Sequence, residues 1–550
     1  MRRKLFFSIF IPTLLLLAMV TMYANAATPT AKPKGTVVIL THTFGEENWL
    51  SPLKSTTQGY ISQCMYNNLL ERSNKTGELI AGDGSLAKRF EMSDDMRTFT
   101  FELEKGVPWH GGWGEVTAED VKFSFDLAVS EGSTNDAAGL FRRYIDRIEI
   151  PNPYTVIIRT KVPAWDFQHL LTSTFQHLAI VCKKYVEKVG IEKAGLNPIG
   201  SGPFKFVEHA YGDHIKFEAV ENHWYKTPRV KYLIWKKIPD VATRLAMLKA
   251  GEAHLTQILY DQIEEARRAG LKVKAMQNSG QLVLVMLGQF LKPGYKPEER
   301  PPWAQGGEYW NLDSPAYKVR RALSLAINRQ EIVDKMLYGY GSVEGCSVLA
   351  FWPEHPGFDP ALKPDAYDPE KAKKLLHEAG YANLKDLVVT MNLTPHGARP
   401  FNKPVAEAVA MMWEKLGITV KTRMESDYPS LMKASAARTV TFAWMWPAPI
   451  MADAFTLLNY ITHSDSYYTW TGESPELDRL MEKVRESKVL KERFDGQKAI
   501  FKYLYEHVPS FPIAYVANLY AMAPNLEWPN KGGAMSGNNV HNFELMYFKE

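Results

Sequence analysis

Hydrophobic and polar positions alternate along this chain with two different periods. Thr36–Leu40 (TVVIL), Thr98–Leu103 (TFTFEL) and Tyr154–Arg159 (YTVIIR) are short apolar or alternating blocks, the pattern of half-buried or buried strands. A hairpin is predicted over residues 204–220. Phe204 and Phe206 share one face, Tyr211-Gly212-Asp213 turns the chain, and Ile215, Phe217 and Ala219 alternate on the return. Thr117-Ala118-Glu119-Asp120 reads as a capping box, in which the threonine accepts a first-turn amide and Asp120 reciprocates. Val121, Phe125 and Ala128 then follow at helical spacing. Asp368–Gly380 has Asp at the N-cap, Pro at the first helical position and Gly at its end. Beyond it, Asp386–Thr394 reads as a strand, Asn402–Leu416 as a helix stopped by Gly417, and Ile418–Arg423 as a strand. Strand, helix, strand places two parallel strands in one sheet. The pattern predicts a mixed α/β fold in more than one domain, without internal repeats.

The N-terminus departs from this pattern. MRRK is basic, Leu5 to about Met19 is apolar, and Ala24-Asn25-Ala26 offers a small-residue cleavage site. This is the layout of a secretory signal peptide over residues 1–26. A membrane anchor is the alternative, but Pro12 breaks the run, which is shorter than a spanning helix requires. No cysteine follows the small residues, so a free periplasmic protein is expected and not a lipid-anchored one. Cleavage would remove three cationic residues from a chain of formal net charge +4. A nearly neutral remainder argues against a nucleic-acid partner. The chain is 45% hydrophobic and 12% aromatic, a globular composition, and its length predicts two or three domains. Cys64, Cys182 and Cys346 form no CxxC pair, so no disulfide scaffold or thiolate metal site is expected.

No GxSxG, HExxH, P-loop or GxGxxG sequence occurs, and an enzyme is not expected. The stretch Asn197–Phe206 (NPIGSGPFKF) has the glycines of a phosphate loop, but Pro203 lacks the N–H such loops point at an anion. It reads better as a corner, with Gly200 and Gly202 supplying backbone angles costly to other residues. The histidines, including His209, His214 and His223, lack metal-ligand spacing. Glu46-Glu47 and Asp94-Asp95 read as solvated, because neighbours in sequence point apart. The aromatic loops are more suggestive: Trp109-His110-Gly111-Gly112-Trp113, the pair Trp444 and Trp446 on one face of an extended segment, and Tyr467-Tyr468-Thr469-Trp470. Aromatic side chains on loops line clefts for small ligands as readily as they fill cores.

Several of these stretches together resemble extracytoplasmic solute-binding proteins of ABC transporters, family 5, which includes dipeptide, oligopeptide and nickel binders. NPIGSGPFKFVEHAYGDHIKFEAVENHWY is similar to the family's Asn-Pro-Val-Gly-Thr-Gly-Pro-Tyr hairpin run. The block from Gly77 through VTAEDVKFSF, then YKVRRALSLAINRQEIVDKML, YDPEKAKKLLHEAGY and WEKLGITVK, follow in the family's order. The resemblance implies a two-lobed periplasmic binding protein fold, type II, with an extra inserted domain and a ligand cleft between the lobes. Lobe I would comprise residues 27–69, 195–288 and 506–550, the inserted domain 70–194, and lobe II 289–505. It also implies a monomer without a cofactor, whose partners are a small-molecule solute and a membrane permease. The cleft candidates are Phe44, Trp49, Trp109, Trp113, Trp444, Trp446 and Asp453. Peptide binders of the family carry an aspartate after the Trp-rich strand to pair with the peptide's α-amino group, whereas Pro447 or Ala448 stands there in WMWPAPIMADAF. An unpaired buried ammonium is costly, so an oligosaccharide, an opine-like conjugate or another amphipathic solute is expected. The alternatives are a peptide or metal-chelate binder using Asp427 or Asp453, and, remotely, a secreted hydrolase. The segment 288–314 is longer than the family's usual link and adds Trp303, Tyr309 and Trp310.

Overall fold

The structure, a computed structural model, describes residues 32–53, 59–72, 79–82, 84–135, 137–172, 178–288, 300–305, 310–343, 357–394, 401–425, 428–449, 455, 458, 461–464, 472–529 and 542–549. One sheet of eleven strands runs through the described residues. From one edge the order is Thr419–Arg423, Val388–Asn392, Ala443–Pro449, Lys272–Met286, Ser510–Met522, Leu255–Ile258, Lys34–Thr41, Val230–Lys237, His214–Ala219 and Phe204–Ala210, with Gly341–Ser342 paired onto Ser510–Met522. Two central strands are unusually long, 15 residues in Lys272–Met286 and 13 in Ser510–Met522, against the five or six common in globular proteins. They pair antiparallel from Lys272↔Met522 to Val285↔Ser510. One end of Ser510–Met522 also pairs with Leu255–Ile258, and the opposite end of Lys272–Met286 pairs with Ala443–Pro449. Both strands are therefore shared by the two halves of the sheet. Almost every residue of Ser510–Met522 is buried, as a strand covered on both faces requires.

Local chemistry forms the elements that the pattern predicts. The helix Asn402–Leu416 ends on Gly417 with φ 109°, and it links Val388–Asn392 to the parallel strand Thr419–Arg423. Asp368 accepts the Lys371 amide at 2.9 Å and starts the helix Pro369–Glu378. The Thr117 amide donates to Asp120 at 2.9 Å, closing the box that begins the helix Ala118–Ala128, and Asp120 also accepts the Lys183 amide at 2.8 Å. Between the strands Lys34–Thr41 and Phe204–Ala210 the chain makes a separate four-stranded antiparallel sheet, Ala87–Met92, Thr98–Leu103, Thr155–Thr160 and Ile145–Asn152. Its core rings Phe99, Phe125, Phe141 and Phe167 pack edge-to-face and stacked, continuous with the core under the first half of the large sheet.

The corner at Asn197–Phe206 returns the chain from this inserted unit to the large sheet. Its glycines serve close approach, contrary to the expectation of unusual backbone angles. Neither Gly200 nor Gly202 is among the positive-φ glycines. A Cβ on Gly200 would lie 1.8 Å from the Met65 carbonyl oxygen, and one on Gly202 2.6 Å from the Met65 carbonyl carbon. The Gly202 amide donates to that same Met65 carbonyl at 2.8 Å. The corner's own carbonyls accept from the inserted unit and from the hairpin's tail: Gly202 from His110 Nε2 at 2.8 Å, Ser201 from His223 Nε2 and Trp224 Nε1, each at 3.0 Å. These hydrogen bonds hold the two imidazoles as donors, with their peptide groups already committed to protein. An anion cradle is absent from this corner.

Burial, with the nearby charges of His223 and Lys205, outweighs the Gly202 bond and pushes the His110 imidazole down to about 4. His42 also falls to about 4 through burial and the Arg244 charge. A folded-state value below the ordinary 6.5 means that the unfolded chain binds the proton first as pH falls. The stabilisation is complete above about pH 6.5 and is lost as pH drops towards 4, at most about 1.4 kcal/mol per pH unit for each group. The melting temperature should therefore fall between pH 7 and pH 5. His110→Gln, which retains an N–H for Gly202, should flatten that slope. An unchanged slope in the variant would remove His110 from the account.

Candidate functional site

Where the two long strands cross from one half to the other, their register breaks between Met276 and Gly280. Buried polar side chains collect at this break: Ser279, Gln281 and Asn518, with Tyr515 beside them. Burying hydroxyls and amides inside a sheet is unfavourable unless each is satisfied. Ser279 donates to the Met276 carbonyl. The strand Ala443–Pro449 runs alongside, with Pro447 opposite Leu282 and Ala448 opposite Gln281. On one side of the crossing a concavity is lined from both halves, by Arg244, Gln257 and Tyr260 from the first and by Phe401, before the helix Asn402–Leu416, from the second. The Tyr260 hydroxyl donates to the Ala517 carbonyl at 2.7 Å, and the Phe401 ring meets Tyr260 edge-on at 5.3 Å. Arg244 donates to the Ile238 and Pro239 carbonyls.

The aromatic residues singled out from the sequence fall into three groups. Trp444 and Trp446 do share a face of their strand, paired opposite Val285 and Val283 and packed among Leu431, Phe455, Leu477 and Tyr515 in the core of the second half. Phe44 and Trp49 meet edge-to-face at 6.3 Å, and both pack on His209. Trp109 is buried in the shared first core, whereas Trp113 is half-buried against Tyr185 with Lys188 above its ring. Burial is common to a core and to the wall of a closed cleft, so it does not separate those roles. Asp453, Asp427, Tyr309 and the Tyr467–Trp470 cluster lie outside the described residues. Trp303 donates to the Leu287 carbonyl at 3.0 Å, and Trp310 to the Glu473 carbonyl at 2.6 Å while packing on Tyr503 and His507. Both therefore anchor the link between the halves.

Glu47 was read from the sequence as solvated, and the structure corrects that. Its side chain is 1% exposed. Residue 47 takes a left-handed backbone, φ 54°, which turns the carboxylate inward. There it accepts the Gly212 amide at 2.7 Å, His209 Nε2 at 3.0 Å and Lys237 Nζ at 3.1 Å. Burial alone would raise the carboxyl, but these three partners outweigh it and hold it below its ordinary value. The loop carrying Phe44 and Trp49 is thus fixed to the hairpin tip, and the Trp49 amide donating to the Gly195 carbonyl at 2.9 Å fixes it to the end of the helix Ile191–Leu196. Sequence reasoning also missed Gln281 and Asn518. Their signal was present: QNSGQ interrupts an apolar run at Gln277–Gln281, and Asn518 stands alone in FPIAYVANLYAM.

With this geometry in view, comparison with known proteins settles the family. The model of bacterial extracellular solute-binding proteins, family 5 (middle region), matches residues 83–469. The chain belongs to that family. Among curated relatives, the dipeptide-binding protein of Escherichia coli K12 is 28% identical over 414 residues, covering 71% of this chain and 72% of that protein. Heme-binding protein A of Haemophilus influenzae is 26% identical, covering 71% of each. Among solved structures, the periplasmic binding protein DppA of Helicobacter pylori in complex with the peptide STSA matches with TM-score 0.75 at 20% identity, over 94% of this chain and 98% of that one. NikZ of Campylobacter jejuni with Ni(L-His) has TM-score 0.73 at 21% identity, and MoaA of Agrobacterium tumefaciens R10 with mannopinic acid has 0.73 at 20%. Each covers 94% of this chain and 100% of its own. These likenesses establish the two-lobed fold of periplasmic binding proteins. Among the described residues no helix is long and apolar enough to cross a membrane.

The Glu47 cluster makes a checkable difference. Glu47→Gln should cost about 1–2 kcal/mol at pH 7, since it keeps the shape and loses the charge-assisted bonds. A carboxyl held low stabilises above its ordinary value and stops doing so as pH falls through its folded value. Urea unfolding curves of wild type and variant should therefore converge as pH is lowered below about 4. A pH-independent gap would point to packing instead.

Proposed function

We propose that this family 5 protein captures a small organic solute between its lobes and delivers it, as a monomer, to the permease of an ABC importer. Residues 27–69, 195–288 and 506–550 form lobe I with 70–194 inserted, 289–505 form lobe II, and residues 1–26 are a cleaved export signal. The solute is amphipathic and not an ordinary peptide: an oligosaccharide, an opine-like conjugate or a comparable molecule. The observation that carries this reading is the neutral chemistry of the described residues at the strand crossing. Ser279, Gln281, Tyr515 and Asn518 lie there, and Pro447 and Ala448 continue the Trp-rich strand beside them. A peptide's ammonium buried against such groups would lack a counter-charge, at a cost of several kcal/mol. Hydroxyl-rich or amide-bearing solutes match these hydroxyls and amides in polarity, and Trp446 and its aromatic neighbours supply apolar area. The fold is compatible with such cargo, since the MoaA structure holds mannopinic acid.

A second reading keeps a peptide or metal chelate as cargo, with Asp427 or Asp453 as the acid. It is favoured by the dipeptide-binding relative and by the Ni(L-His) complex of NikZ. Mass spectrometry of whatever denaturation releases from freshly purified protein decides the class. The account predicts a neutral or zwitterionic non-peptide solute. Calorimetry with a panel of di- and tripeptides should show no micromolar binding. With the released solute, Trp446→Ala should lose about tenfold or more in affinity and Asp453→Ala less. The reverse order, or tight peptide binding, would favour the second reading.

A further inference from the structure

Arg493 lies in the first turn of a helix of the second lobe, and its side chain reaches the inserted unit. The helix Leu490–His507 contributes Ile500, Phe501 and Leu504 to the core of the second lobe. The Arg493 guanidinium, however, lies 4.6 Å from the ring centroid of Trp165 and touches the sulfur of Met96, both on the inserted unit. The residue is 2% exposed. Its Nε donates to the Ser487 carbonyl of its own lobe at 2.8 Å, which aims the side chain outward.

The receiving surface is built as firmly. Met96 has φ 55°, a region that costs a non-glycine residue about 1 kcal/mol or more. The turn that imposes it is fully bonded: the Met96 amide donates to Ser93, Asp95 accepts the Ser93 hydroxyl and the Arg97 amide, and the Met96 carbonyl accepts the Ala164 amide. Met96 is 4% exposed and belongs to none of the three hydrophobic cores. From the second lobe, the Arg493 guanidinium lies against its sulfur. Trp165 is fixed from behind by His169, edge-on at 5.4 Å. A second pair bridges the same boundary: Arg485, on the helix Pro475–Glu486, acts electrostatically on Tyr144, whose hydroxyl donates to Asp166 at 3.1 Å.

We infer that Arg493 is a latch between the second lobe and the inserted domain, a positioning residue that holds the lobes closed by seating its guanidinium between Met96 and Trp165. The inference rests on the proposed closure of the lobes around a solute. A guanidinium suits the task because its weakly hydrated plane stacks on an indole at little desolvation cost. Lysine retains the charge and loses the plane. Opening returns Arg493 and Trp165 to water, so the latch biases the equilibrium without locking it. The inserted domain then has a role remote from the solute: it sets how readily the lobes part.

Spin labels on the exposed positions Asp146 and Lys483, in a Cys346→Ser background, report the distance across this boundary. Arg493→Ala and Trp165→Leu should each lower the ratio of closed to open molecules about tenfold. The double variant should fall no further than either single one, and Arg493→Lys should lie between. Unchanged distances in the single variants, or effects that simply multiply in the double variant, would overturn the latch. If Arg493→Ala does not fold, Trp165→Leu and Met96→Leu decide the question from the other side. Mass spectrometry of the same wild-type sample judges the function separately. A protein that carries no solute fails the transport reading, while its distances still judge the latch.

Discussion

The fold depends on one pairing, that of Lys272–Met286 with Ser510–Met522. These strands belong to both halves of the large sheet, so each half completes its hydrogen-bond ladder through them. Such strands must satisfy two demands at once. They need apolar side chains on both faces where they lie inside a lobe, and tolerance for bending and polar groups where they pass between lobes. The sequence meets both: Leu282–Leu287 is buried throughout, while Ser279, Gln281 and Asn518 gather around the register break. A hinge needs only a few residues to absorb a change in backbone angles. The pairing shifts register at Met276–Gly280 and again at Leu282–Val283, and in the proposed closure the bend falls at these positions.

Rigidity on the first side comes from close approach and from buried charge. At Gly200 and Gly202 the corner brings two backbones together so tightly that a side chain is excluded at each, and its carbonyls bind His110, His223 and Trp224. Glu47 gathers the aromatic loop, the hairpin tip and Lys237 onto one carboxylate. The inserted domain is thereby one body with the first lobe. In the proposed closure, a contact that it makes with the second lobe, as at Arg493, would report on the whole movement.

Local signals made much of the architecture legible. The box at Thr117–Asp120, the Gly417 stop, the hairpin and the parallel pair around Asn402–Leu416 each follow from residues within one or two turns of each other. The family followed from several such stretches in order. What escaped was set by residues far apart in sequence. Glu47 looks solvated until the hairpin tip, some 165 positions later, closes over it. Gly200 looks like a turn glycine until Met65 is placed against it. Arg493 and Met96 are 397 positions apart, and no periodicity connects them. At the site, period-two alternation was enough to place Trp444 and Trp446 on one face. The polar interruptions that mark the crossing could have been read as well, as breaks in otherwise apolar strands.

In the proposed cycle, two rigid lobes close around a solute by bending at the crossing strands. Small-angle X-ray scattering on protein stripped of its solute by partial unfolding and refolding, then reloaded with the released material, tests it most directly. The account predicts a larger radius of gyration for the stripped form and a return to the compact value on reloading, with the melting temperature rising in step. Identical scattering from the two forms, with solute demonstrably bound in one, would contradict it.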